Sequence, residues 1–588
     1  MGINKKKESY FLVTTALEES WKAKVQTIFL GDWCLIFNKF NKDKYPNHIV
    51  NDYHWDDREK YNQDFHFIDK LYEKKLKELT ILLNKSHGTD NNIRYWRIVI
   101  GPWLRSFTEV LFDRYEILKS INQDISDTII LDYQIHDFIP LNYIEFYSQI
   151  KSDEWNHIIF SEIIQFLNIP YSKSDVKLKE TIKPQSSTIK KIKEKSKNFF
   201  LKIYSILITK ISNKILIKDP YMPILNEFKL NLQFFQLPIR LPASSIKKPK
   251  EIENRKSTEN LNSESDFEKL LNKLLIGLLP FSYLENFEKI NTETNFYYPS
   301  KSKIIFTSNA YLHDDHFKIM TAERSLKNIP YVIGQHGGGF KTGLNNQTVL
   351  HQLKTCDNFY SWGWTDKSST ENKIIKMPSL KLSRKISLPD SEGYILITTP
   401  SYPRYFYSHF SVPVAGQFLK IINETIDFIN NLSGISSEKI KLKLDSDVFG
   451  WKVNERFISQ GFSKTLTKGE NFYKLLSKSR LSISTYNSTI YYETMSSNFP
   501  TVIFFDMNFY EISEESKEDF NLLKSVGIFH ESPLSAAKFV NSIFNNIDGW
   551  WFKKEVQYAR KEFCDKYAFN SKTYLKDWKS SINELVKK

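Results

Sequence analysis

Two short turns carry most of the chemical capacity visible in this chain. The first, Gly334-Gln335-His336-Gly337-Gly338-Gly339, sets an imidazole inside a run of glycines. Glycines let the backbone approach a ligand closely and adopt positive φ, and a histidine among them can donate to a sugar or phosphate oxygen or shuttle a proton. No Gly-Lys-Ser/Thr follows, so this is not a Walker loop, and the spacing is not that of a dinucleotide fingerprint. The second turn, Thr485-Tyr486-Asn487-Ser488-Thr489, places hydroxyls and free N–H groups at a helix start, with Glu493 one turn in. That combination suits a nucleotide's phosphate, with the carboxylate accepting ribose hydroxyls. A third cluster, from Asn309 to His316, holds His313, Asp314, Asp315 and His316. One aspartate there is expected to cap a helix, but two carboxylates and two imidazoles exceed what capping needs. Arg404, after Pro400-Ser401-Tyr402-Pro403, is a candidate for recognising an anionic donor, since guanidinium pairs bidentately with carboxylate or phosphate.

Each of these groups follows a predicted strand. In open parallel sheets ligands bind beyond the carboxyl ends of the strands, where loops and helix N-termini gather. The patterning predicts strands over 303–308, 331–333, 394–399, 440–444, 481–484 and 501–505, alternating with helices over 267–278, 315–327, 416–431, 471–477 and 490–496. Earlier, strands 10–15 and 27–30 flank a stretch, 16–21, that turns to helical periodicity, and 65–83 and 95–118 read as long amphipathic helices. The expected class is α/β: two Rossmann-like domains facing a cleft, with helical insertions. The expected boundaries are a first domain in two parts, 1–170 and 266–380, interrupted by a basic helical insertion and linker over 171–265. A second domain then covers 381–547, beyond a hinge near 378–389, and helices over 548–588 brace the two.

Composition sets the outer limits. A chain of 588 residues exceeds one ordinary core, and 41% hydrophobic with 15% aromatic residues is incompatible with a disordered or fibrous protein. Cys34, Cys356 and Cys564 have no paired spacing, which fits a reducing compartment. No apolar signal core or bilayer-length apolar run is present, so a cytoplasmic location is expected. The lysines between 190 and 202, interleaved with Phe199, Phe200, Ile203, Ile206, Leu207 and Ile208, read either as a solvated helix or as one that docks on the inner-membrane surface. The net charge of +14 sits in a Lys-, Asn- and Ile-rich background and does not by itself call for a nucleic acid. No Asp-x-Asp metal cluster is evident, so no metal and no cofactor are expected.

Taken together, the stretches Thr14-Thr15-Ala16-Leu17-Glu18-Glu19-Ser20-Trp21, Gly31-Asp32-Trp33-Cys34, Arg94-Tyr95-Trp96-Arg97, Gln335-His336-Gly337-Gly338, Ser361-Trp362-Gly363-Trp364 and Tyr486-Asn487-Ser488-Thr489 resemble the transferases encoded in O-antigen and capsule gene clusters, first catalogued in spirochaetes. More distantly, the Gln-His-Gly turn and the Ser488-Thr489 to Glu493 spacing look like capsule-type GT-B glycosyltransferases that use CMP-linked ulosonic acids such as Kdo or pseudaminic acid. The resemblance implies a nucleotide seat in the second domain at Tyr486, Asn487, Ser488, Thr489 and Glu493, with Gln335, Gly337, Gly338 and Arg404 on the donor side. It implies an acceptor side in the first domain, at Thr15, Glu18, Ser308, Asn309 and His313. Asp314, Asp315 and His336 would face the anomeric carbon, an aspartate being the nucleophile of a retaining enzyme. The expected partners are a nucleotide-sugar donor and a glycan or lipid-linked glycan acceptor. A polyol-phosphate or phosphosugar transferase on the same scaffold, and a non-catalytic polysaccharide-binding protein, remain the alternatives.

Overall fold

The computed structural model describes residues 9–178, 197, 199–201, 203–204, 214–240, 246–249, 252, 255, 261–299, 301–365, 373–384, 386–445 and 449–587. Most of the basic 190–210 run lies outside these residues. The fold is α/β, and its strands pair in parallel throughout the named sheets.

Three larger sheets organise the chain. The last runs 440–443, 394–398, 479–484, 501–504, 529–530 across the sheet, and its strands Tyr394–Thr398 and Thr501–Phe504 are near-continuous apolar segments, the pattern of strands buried on both faces. Its order, second-first-third-fourth-fifth, reverses between Tyr394–Thr398 and Ser479–Ser484, creating a switch point beside the Tyr486 to Thr489 turn. The middle sheet runs 374–376, 358–361, 331–334, 304–307, 215–218 without reversal. A four-stranded sheet, 48–50, 27–29, 9–13, 124–127, stands apart from it.

Three features depart from the sequence reading. The stretches 1–170 and 266–380 do not join into one sheet. Helix Ile93–Lys119, buried along nearly all its length, is packed by helices 58–87, 153–166 and 315–325, so the two sheets share one apolar core without exchanging hydrogen bonds. Within 171–265, Ile215–Lys218 forms the edge strand of the middle sheet and Ile224–Leu232 is a helix, so part of the expected insertion belongs to the sheet. Those four strand residues are hidden in sequence by the surrounding Lys/Ile run. At the N-terminus the helical periodicity of 16–21 yields one short 3-10 turn, Glu18–Ser20. The Ser20 hydroxyl donates to Leu17 O and the Trp21 indole to Thr15 O, closing the chain before a second turn can form.

Local signals place the long elements. Helix Arg58–His87 starts where the Asp57 carboxylate accepts from the Glu59 and Lys60 amides, worth about 1 kcal/mol, and stops at Gly88 in the left-handed region. The C-terminal helix Tyr574–Lys587 returns to the middle sheet, where Trp578, Ile582 and Leu585 pack on Ile217, Phe306 and Tyr360. The Trp578 indole donates to Pro378 O at the base of the interdomain crossover.

Candidate functional site

The two turns meet. Strand Tyr331–Gly334 delivers the glycine turn and strand Ser479–Ser484 delivers the hydroxyl turn, from sheets in different domains. Gly338 N donates to Thr489 Oγ1 at 2.9 Å and Gly339 N to the Tyr492 hydroxyl at 3.2 Å. Only glycine fits at 338, since a Cβ there would lie 2.5 Å from the Tyr492 ring. At 339 the backbone has φ 76°, which glycine alone adopts at no steric cost. Gln335 faces inward and fixes the turn: its Oε1 accepts from Trp362 N and the Trp364 indole, and its Nε2 donates to Gly337 O.

Beside this junction lies a cavity of about 330 Å³, lined by His336, Gly337, Asn345, Phe410, Ser411, Asn487 and Thr489 among others. The size is at the lower end for a small-molecule cleft. The His336 ring is packed edge-on by Phe340 at 4.9 Å and flanked by Tyr221 and Tyr311, with Gln352 at 3.4 Å from Nδ1. Burial, aided by the charge of His313, pushes its pKa down to about 4, so the imidazole is neutral at physiological pH. On the facing turn Ser488 caps helix Thr489–Ser496, accepting from Ile490 N, and Asn487 Oδ1 accepts from the Tyr491 hydroxyl. Thr489 Oγ1 already accepts from Gly338, which leaves its own proton free to donate.

Glu493 is held rather than free. Its Oε2 accepts from the Tyr473 hydroxyl at 2.5 Å and Lys381 stands 3.6 Å from Oε1. Burial raises its pKa, and Lys381, Tyr473 and Arg384 only partly offset that. Lys381 also lies over the Tyr221 ring at 5.4 Å, and Arg384 over Tyr473 at 3.9 Å. The crossover between the domains thus brings two cations to the cleft, which sequence reading did not single out.

A second group missed in sequence sits at the end of strand Ile215–Lys218. Asp219 and Tyr221 both have left-handed backbones, φ 46° and 52°, a strained arrangement for non-glycine residues that concentrates at functional sites. Asp219 lies 3.5 Å from the His313 imidazole and 3.2 Å from Lys218. Burial would raise the Asp219 carboxyl, but His313 and Lys218 prevail and hold it down at about 2. Ser308 ties the same corner, donating through its hydroxyl to Pro220 O and through its amide to Asp219 O. A strand followed by Lys218-Asp219-Pro220 would have been the signal, had the strand been legible.

The remaining candidates scatter. Asp314 accepts from Phe317 N as the cap of helix Asp315–Ser325, and its other oxygen lies 3.6 Å from Lys218. Asn309 precedes the short helix Ala310–His313 at the rim of the same corner. Asp315 turns away from the cleft into the core, bonded to Lys318 at 2.6 Å and to the Tyr283 hydroxyl at 2.9 Å. Burial lowers the pKa of Lys318, and Asp315 is what keeps its charge tolerable. Arg404 does not reach the Asn487 to Thr489 turn. Its guanidinium pairs with Asp153 at 2.5 Å and donates to Phe449 O and Trp33 O, clamping the second domain to the four-stranded sheet. It lines a separate cavity of about 230 Å³ with Glu18, at the carboxyl end of strand Ser9–Val13, while Thr15 next to it is buried. Among the described residues no group of three His, Cys, Asp or Glu side chains is placed to hold a metal ion.

The chain belongs to the LIC12162 family of transferases, which it matches over residues 10–582. No curated protein matches it. Among solved structures it is similar to MurG of Acinetobacter baumannii, with 12% identity and a TM-score of 0.28 over 51% of this chain and 77% of that one. It is similar also to the spinosyn rhamnosyltransferase SpnG in complex with spinosyn aglycone, with 8% identity and a TM-score of 0.28 over 60% and 96%. A Listeria monocytogenes chain described as a UDP-N-acetylglucosamine 2-epimerase gives 9% identity and a TM-score of 0.34 over 61% and 99%. Likenesses this distant carry no functional weight.

Proposed function

We propose that this transferase is a glycosyltransferase, moving a sugar from a nucleotide-activated donor onto a bacterial surface polysaccharide or a lipid-linked glycan. We take the donor to be a CMP-linked nonulosonic acid or Kdo. The reading is carried by the junction of the glycine and hydroxyl turns, in which Gly338 N meets Thr489 Oγ1 beside a cavity holding a neutral imidazole. The switch point next to that turn favours a nucleotide seat in the second domain.

In this account the Asn487 to Thr489 turn and the start of helix Thr489–Ser496 hold the donor's phosphate, while Lys381 and Arg384 offset the charge on the departing nucleotide. The bond from the anomeric carbon to the phosphate oxygen breaks with its electron pair leaving on the nucleotide. The acceptor oxygen bonds that carbon, and its proton passes to His336, whose neutral form can accept it. If the reaction retains configuration, Asp314 or the ionised Asp219 supplies the nucleophile. Arg404 and Asp315 act through the frame rather than on substrate. No metal step is invoked, so chelation with EDTA is expected to leave turnover unchanged.

Donor screening tests the reading. Release of free CMP from a CMP-ulosonate, dependent on His336, supports it. Transfer of a phospho-polyol from a CDP donor would make the chain a polyol-phosphate transferase instead. Absence of affinity for CMP, CDP, UDP and GDP, read as thermal shift, would leave a polysaccharide-binding protein.

A further inference from the structure

Helix Ile224–Leu232 is apolar on two opposite faces. Its inner face carries Leu230, which packs with Trp578, Ile582 and Leu585 of the C-terminal helix. Its outer face presents Ile224 and Leu225, 69% and 72% exposed, together with Phe228 and Leu232. The chain continues to Phe235, 94% exposed, and Leu237. A surface helix of a soluble domain needs only one apolar stripe, so the second is unexplained by the fold. Phe199, Phe200 and Ile203, helical and exposed, join the same patch, because the Tyr204 hydroxyl donates to Pro238 O at 2.7 Å and senses the charges of Arg240 and Glu227. Soluble domains seldom expose so many large apolar side chains together unless the surface is used.

The charge of the adjoining sequence points to what it is used for. Residues 190–214 contain eight lysines and one glutamate, a net of +7, half of the whole chain's +14. Lys229 lies on the helix itself, and its one acidic residue, Glu227, is neutralised by a two-pronged contact with Arg240 at 2.6 and 2.7 Å. Apolar side chains joined in sequence to a lysine-rich stretch match the interface of an anionic bilayer.

We infer that this face, formed by Phe199, Phe200 and Ile203 with Ile224 to Leu237, docks the protein on an anionic lipid membrane. Ile224 follows Tyr221 by three residues, and Tyr221 stands against His336, so docking brings the mouth of the cleft to the lipid surface. That proximity bears on a lipid-linked acceptor only if the glycosyltransferase reading holds. The docking itself does not depend on it.

The test is co-sedimentation of the full chain with vesicles of phosphatidylcholine alone and of phosphatidylcholine with phosphatidylglycerol. Binding is expected only with phosphatidylglycerol, weakened by high salt. The triple substitution Leu225→Ser, Phe228→Ser, Phe235→Ser should reduce it about tenfold or more, as should Lys197→Gln with Lys229→Gln. Both variants leave Leu230 and Trp578 in place, and unchanged Tm and nucleotide-induced thermal shift verify that fold and cleft survive. Failure to sediment with either vesicle, or undiminished binding by the triple variant, overturns the inference. So does a concentration-dependent dimer, abolished by the triple variant, without vesicle binding.

Discussion

Strands Ile304–Thr307 and Tyr331–Gly334 are neighbours in one sheet, and one leads to a paired Asp314-Asp315 while the other ends on His336 among glycines, two sets of groups used in opposite ways. The Gln335 to Gly339 turn uses its buried amide, Gln335, to hold its own shape, gives the Gly338 N–H to Thr489 of the other domain, and leaves His336 lining the cavity between them. The Asp314-Asp315 turn spends its carboxylates locally, one capping the helix and one balancing Lys318. Position after a strand selects both, and what separates them is whether each polar group already has a partner inside its own domain. Groups closed into local bonds, such as Gln335 and Asp315, serve the fold, whereas the Gly338 N–H bonded across the cleft and His336 lining its cavity are placed to meet a ligand.

Breaking either turn should therefore give different symptoms. His336→Ala is expected to lower turnover by about 10²–10⁴-fold with little change in Tm, measured as kcat alongside thermal unfolding. Asp315→Ala should do the reverse. It leaves Lys318 charged and buried, costing about 3–5 kcal/mol, which denaturant unfolding would report as a lowered midpoint. Gly338→Ala, whose Cβ would collide with Tyr492, should displace the turn and reduce kcat/KM by about 10²-fold. If instead the Asp315 variant is stable but inactive, the contrast between the turns collapses.

A pH profile sharpens the same contrast. The folded His336 value, about 4, lies below the ordinary 6.5, so the unfolded chain takes up the proton first. Stability conferred by keeping this ring neutral is intact above 6.5 and declines as pH falls toward 4, and His336→Gln should flatten that decline. Activity that needs the neutral ring should persist to near pH 4 instead of falling away at 6.5. The smallest expected effect is that of Thr489→Val. It removes one interdomain hydrogen bond, about 1 kcal/mol, and should weaken nucleotide affinity more than it lowers Tm.

Much of the layout was legible in sequence because apolar runs such as those of Ile304–Thr307, Tyr394–Thr398 and Thr501–Phe504 are bounded by sharp turn chemistry. The two meeting turns were legible for the same reason: glycine at 339, with its left-handed backbone, and Ser488 at a helix start are demanded locally. What escaped was long-range. Arg404 looks like an anion receptor until Asp153, 251 residues away, occupies it. Strand Ile215–Lys218 is short and lies in a lysine-rich background, so Asp219 and Tyr221 at its end drew no notice. The separation of the four-stranded sheet from the middle sheet depends on which strands pair, and the buried helix Ile93–Lys119 packs in the core they share.

The most direct test of the account is a crystal structure of the protein soaked with CMP. The account places the phosphate within hydrogen-bonding distance of Ser488 or Thr489, with Lys381 or Arg384 approaching it and His336 facing the site of transfer. Nucleotide bound instead in the cavity at Arg404 and Glu18, with the Gly338 to Thr489 junction empty, would contradict it.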